Sequence, residues 1–144
     1  MKNTIKTAAS FILALMFIFG TIACEKVNTD NKSDLWENAT YQTDTEFGGG
    51  ENKVVVEVKA EDKSVTFIVN TDKTTVGAAL LEYNLIDGEQ SNFGLYIKKV
   101  NGITADYDID KSYWSFYING EYANTGVDGT EITEGAEYKL EYTK

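Results

Sequence analysis

The chain has 144 residues, with 23 acidic and 13 basic side chains, no histidine, no proline and a single cysteine, for a net charge of −10. That length admits one domain with extras. The acidity argues against nucleic acid and against electrostatic docking onto anionic lipid; the missing histidine excludes imidazole as a metal ligand, and one cysteine excludes an intramolecular disulfide.

Residues 1–23 read as a signal peptide. Lys2 and Lys6 precede an uncharged stretch whose apolar part is "FILALMFIFG", residues 11–20. That is too short for a permanent span of a bilayer about 30 Å thick, which takes roughly 20 apolar residues. The segment closes in "TIAC", residues 21–24. This resembles a bacterial lipobox: apolar Ile22, small Ala23, then Cys24, with Thr21 where the pattern usually has Leu. The resemblance implies cleavage after Ala23, diacylglycerol on the Cys24 sulfur and a protein on the extracytoplasmic side of a bacterial membrane. At about 0.8 kcal/mol per buried methylene, two long acyl chains anchor stably. Cleavage removes two lysines and no acid, so −10 becomes −12.

Residues 24–51 are polar, without sustained period, and end in "GGG". They read as a lipid-anchored flexible stalk. Trp36, Tyr41 and Phe47 are unusual in a pure linker, and suggest weak docking on the domain or a segment for a partner.

The domain is expected over 52–144. "KVVVEVKA" (53–60) and "VTFIVN" (65–70) alternate, with Val54, Val56, Val58 and Val65, Phe67, Val69 inward, and form a hairpin. In "TTVGAALLEYN", Val76, Ala79, Leu80 and Tyr83 fall on one helical face; Thr74 or Thr75 is the N-cap and Asn84 the stop. A glycine-containing loop precedes "LYIKKVN" (95–101). "YWSFYIN" (113–119) is a strand running into Asn119-Gly120, a type I′ hairpin dipeptide. "EYKLEYT" (137–143) alternates Tyr138, Leu140 and Tyr142 against Lys139 and Glu141. The order predicts an α+β domain of β-grasp type, one helix packed on a mixed sheet. A domain this size buries roughly two-thirds of its unfolded surface, enough for a core without disulfides.

"TVGAALLEYNLI" (75–86), "GLYIKKVNGITADY" (94–107) and "YWSFYINGEYANTGVDGTEITEGAEYKLEYT" (113–143) together resemble the transcobalamin-like C-terminal domain family. The resemblance covers essentially all of 52–144. It implies a β-grasp-type fold that binds a soluble ligand, with cobalamin or another corrinoid as the named candidate. In animal vitamin B12 carriers a related domain closes over one face of cobalamin. Those carriers also have a large helical domain, for which these 144 residues have no counterpart, so a transporter or second binding domain would complete the site.

Strand parity sorts the aromatics of "YWSFYINGEY". Trp114, Phe116 and Ile118 share one face, which should meet the helix; Trp114 keeps a ligand role open through an indole N–H at the sheet edge. Tyr113 and Tyr117, with Tyr122, should face outward. With Tyr96 they form a candidate ligand-binding cluster, a rigid ring plus hydroxyl at each position. The competing reading is cross-strand tyrosine pairing that only covers the sheet. "DYDID" spaces Asp106, Asp108 and Asp110 like the start of a calcium loop, but Lys111 stands at the glycine position and Tyr117 at the closing glutamate. A solvated acidic loop is expected there and no metal site is assigned. No free thiol, histidine, phosphate loop or nucleophile elbow points to catalysis. The sequence leaves two readings: a non-enzymatic binder that requires no cofactor and takes a small ligand, or a structural or adhesive surface module that binds a protein or an envelope component.

Overall fold

The computed structural model describes residues 34–144. The expected signal peptide, Cys24 and the start of the expected stalk lie outside the described residues. Among the described residues there are nine strands: β1 (Thr45–Gly48), β2 (Asn52–Ala60), β3 (Lys63–Thr71), β4 (Ile86–Ser91), β5 (Gly94–Val100), β6 (Ile103–Thr104), β7 (Tyr113–Ile118), β8 (Glu121–Tyr122) and β9 (Glu137–Thr143). The helices are α1 (Val76–Glu82) and the single turn α2 (Tyr107–Asp110). The fold is α+β, with a six-stranded mixed sheet, order β1-β3-β2-β9-β7-β8, and a small sheet β4-β5-β6.

Period-2 alternation builds the large sheet. β2 and β3 pair antiparallel with Val54 opposite Val69, Val56 opposite Phe67 and Val58 opposite Val65, so one face of the hairpin is continuous and apolar. β9 adds parallel to β2, and β7 adds antiparallel to β9 with Phe116 opposite Leu140. Asn119 and Gly120 both have positive φ, 49° and 82°, as a type I′ turn requires, and lead into β8. Thr75 caps α1, its hydroxyl accepting the Ala78 N–H at 3.3 Å. The helix stops after seven residues, shorter than the pattern suggested, because Asn84 takes a left-handed conformation (φ 54°) and Leu85 turns back into the core. Val76, Ala79 and Leu80 are buried.

The expected stalk needs correction: residues 34–51 are part of the fold. Trp36 sits in a 3₁₀ turn (Leu35–Asn38), is 3% exposed, and donates its indole N–H to the Ala60 carbonyl at 2.8 Å. β1 pairs parallel to β3 as an edge strand. The Phe47 ring meets those of Tyr41, Phe67 and Tyr83 at 5.2–5.8 Å. Fully buried Asn101 ties this segment to the small sheet. Its side chain accepts the Tyr41 N–H (2.9 Å) and donates to the Tyr41 carbonyl (2.8 Å), while its own N–H donates to Leu85 and its carbonyl accepts from Thr40. Burial of Trp36 and packing of the half-buried Tyr41 and Phe47 against the core outweigh the entropy of ordering a glycine-rich segment.

Two other differences are local. β4 occupies the expected glycine-containing loop; only Ile86 is buried, and the strand exists through its pairing with β5. The acidic run 106–110 is not an open loop but the turn α2, capped by Asp106, whose carboxylate accepts the Asp108 N–H at 3.0 Å.

Candidate functional site

β5 and β7, distant in sequence, approach each other where the two sheets meet. Between them runs a groove of about 270 Å³. Leu95, Tyr96 and Ile97 line it from β5, Tyr113, Trp114 and Phe116 from β7, Tyr122 from β8, and residues 123–127 rim it. No lining side chain is charged. Four other hollows on the molecule each include at least one carboxylate: Glu51, Glu57, Asp44 or Asp128. Two of them, about 520 Å³ and about 390 Å³, share Val55 and Glu137 and mix Glu with Lys, as a solvated sheet face does.

The rim is held from two sides. After β8 the chain makes a 3₁₀ turn, Val127–Gly129, with Val127 buried. The Asp128 carboxylate accepts the Leu95 N–H at 3.0 Å, fixing the turn to the start of β5. The same turn lies against α1: a Cβ added at Gly77 would fall 2.8 Å from the Asp128 Cα, and one at Gly94 2.6 Å from its carboxylate. Thr130 Oγ1 donates to the Gly126 carbonyl at 2.8 Å and closes the loop. A second hollow of about 500 Å³ shares Asn124, Thr125 and Gly126 with the groove and extends it toward Phe93, which is 96% exposed.

Four of the five aromatics singled out in the sequence, Tyr96, Tyr113, Trp114 and Tyr122, line the groove. Tyr117 does not. Its ring meets Tyr122 edge-on at 5.5 Å and lies under Lys139 Nζ at 4.3 Å, a cation–π contact. Lys139 is held protonated above its usual range, first by its hydrogen bond to Glu141, and Glu141 is lowered by the same bond. Tyr117 thus belongs to the charged face of the sheet. Trp114 is 7% exposed and stacks edge-on with Tyr142 at 5.7 Å. Its Nε1–H is buried and has no hydrogen-bond partner among the described residues. Tyr113 packs against Tyr107 at 6.4 Å. Sequence reasoning missed Leu95, Ile97, Phe93 and the 123–127 rim as site residues, because no local pattern joins β5 to β7.

The acidic run offers little to a cation. Asp106 is occupied as a cap. Asp110 accepts from the Ser112 N–H and hydroxyl and from Lys144 Nζ at 3.1 Å, with the Tyr142 hydroxyl at 3.4 Å. These contacts, Ser112 first, pull the Asp110 carboxyl down to about 2. Among the described residues no three His, Cys, Asp or Glu side chains are placed to hold a metal.

The family model described as "Domain of unknown function (DUF4430)" matches residues 72–144. The chain belongs to the DUF4430 family. No curated protein matches it. Among solved structures, it is similar to a protein from Ruminococcus gnavus for which metal binding has been suggested, at 33% identity and a TM-score of 0.61, over 65% of this chain and 98% of that one. It is also similar to haptocorrin, solved in complex with Cbi, at 16% identity and a TM-score of 0.52, over 68% of this chain. That likeness is one of fold, and this chain spans 27% of haptocorrin's length. In this DUF4430 chain the matched region contains β5, β7 and the whole groove rim.

Proposed function

We propose that this DUF4430 protein is a non-catalytic binding module that takes a neutral, planar or apolar ligand in the β5–β7 groove. The observation that carries this reading is the uncharged aromatic lining, in a chain where 36 of 144 residues are charged. Such a surface repays desolvation through stacking and gives an ionised ligand nothing to pair with. A corrinoid is the named candidate ligand. Support comes from the transcobalamin-like sequence pattern and from the fold shared with haptocorrin, whose structure holds Cbi. At about 270 Å³ the groove is at or below the small end of ligand sites, so it would grip one edge or face of a large ligand and leave the rest to a second domain, a transporter or another protein. The TIAC motif supports attachment through Cys24 to the outer side of a bacterial membrane, which would hold the module near such a partner.

A protein or envelope contact is the second reading. Phe93 (96% exposed), in the adjoining hollow, and Tyr107 (50%), whose ring meets that of Tyr113, favour it, being solvent-facing rings beside the groove.

Calorimetric titration of the compact unit Ser33–Lys144 with cobalamin and cobinamide tests the first reading. Saturable binding is expected, weakened about tenfold by Tyr113→Ala or Tyr96→Ala, which corresponds to about 1.4 kcal/mol. Tyr117→Ala, outside the groove, should leave it unchanged. Equal losses at all three positions, or no binding at all, would move the protein to the second reading.

A further inference from the structure

The groove wall contains a donor with nothing to donate to. Trp114 is 93% buried by its exposure, its Nε1 is shielded from solvent, and no described residue accepts from it. A buried polar group left unpaired costs about 1–3 kcal/mol, and native proteins keep few of them. The chain's other tryptophan shows what the fold does when an indole N–H is purely structural: Trp36 donates to Ala60 at 2.8 Å. Phenylalanine would fill most of the Trp114 site without the penalty. The indole belongs to the apolar core cluster and meets the Tyr142 ring edge-on, and no hydrogen bond from its Nε1 holds it in place. The same side chain lines the groove.

We propose that Trp114 is the specificity donor of the groove, and that the ligand it selects is a neutral planar molecule presenting a carbonyl or carboxamide oxygen to the indole N–H. This rests on the groove being a ligand site. It narrows the ligand class, since an apolar ring alone would stack but leave the donor unpaired, whereas an acceptor-bearing ring would satisfy it. Discrimination by a buried donor exceeds what one extra apolar contact gives.

The test uses ¹⁵N-labelled Ser33–Lys144 and two probes of like shape, 2-naphthamide and 2-ethylnaphthalene. The chain has two tryptophans, so two indole N–H resonances are expected, and Trp114→Phe assigns them. In the free protein the Trp114 proton should resonate upfield of the Trp36 proton. The amide should move the Trp114 resonance downfield, leave that of Trp36 in place, and bind about tenfold more tightly than the hydrocarbon. Trp114→Phe should abolish that preference; should this variant fail to fold, the wild-type resonances still decide. Equal binding of both probes, or amide binding without movement of the Trp114 proton, would overturn the donor assignment and leave the groove standing. Binding of neither probe would overturn both.

Discussion

Trp36 and Trp114 are comparably buried, at 3% and 7% exposure, yet the regions around them are built by different rules. Around Trp36 every polar group finds a partner: the indole N–H meets Ala60, Asp34 caps the 3₁₀ turn and pairs with Lys63 at 2.7 Å, and Asn101 closes reciprocal bonds with Tyr41. Around Trp114 an uncharged gap separates two strands, and a buried donor stays unpaired. The first region is organised for stability. The second accepts a local cost, which is where functional sites depart from the rules of the core.

The largest expected effect comes from removing the first region. A chain beginning at Asn52 lacks Trp36, Tyr41, Phe47 and β1 and exposes the apolar surface they cover. Since losing a single buried aromatic side chain costs about 3–5 kcal/mol, urea denaturation should show Ser33–Lys144 folded and the shorter chain largely unfolded. If both unfold at the same urea concentration, the N-terminal segment is ornament. Next is Asn101→Ala, which leaves the Tyr41 N–H and carbonyl without partners and should cost about 2–4 kcal/mol in the same assay. A loss below 1 kcal/mol would mean that water replaces the amide.

A matched pair sharpens the contrast. Trp36→Phe removes the buried hydrogen bond to the Ala60 carbonyl along with part of the ring and should cost about 1–3 kcal/mol. Trp114→Phe removes an orphan rather than creating one, so its loss of packing is offset and the net change should stay within about 1 kcal/mol. Equal destabilisation would erase the distinction between the two sites.

The smallest effect concerns pH. Asp110 is depressed to about 2 by Ser112 and Lys144. A depressed carboxyl stabilises the fold above its unfolded value near 3.8, and that contribution fades as pH falls from about 4 through about 2. The group is exposed, so solvent screens the effect. A carboxyl-carbon NMR titration should place Asp110 near 2, and Asp110→Asn should flatten the fall in melting temperature over that window. A midpoint near the ordinary value would mean that the Ser112 and Lys144 contacts do not persist in solution.

Much of the fold was legible because its signals are local. Alternation in 54–58, 65–69 and 138–140 marks buried faces without reference to distant residues, and Thr75 and Asn119-Gly120 are punctuation readable in place. The misses share one cause, dependence on a partner. "TEFG" has no strand signal until β3 lies beside it, and "IDGEQS" is held extended by β5. The tyrosines were recognisable as candidates, but parity within one strand placed Tyr117 with them, whereas Lys139 on β9 keeps it on the charged face. The groove depends on β5 meeting β7, and an unpaired donor is visible only once every neighbour is placed.

The position of β9 has a further consequence. It lies between β2 and β7 and follows every other strand in the chain, so the two halves of the large sheet share no strand pairing until residues 137–143 are available. The sheet therefore cannot close until residues 137–143 have been made, and the pairing that closes it joins residues 55–59 to residues 137–141. Such long-range closure is slow compared with local hairpin formation. A nascent chain of this kind keeps its large sheet open until β9 has been made.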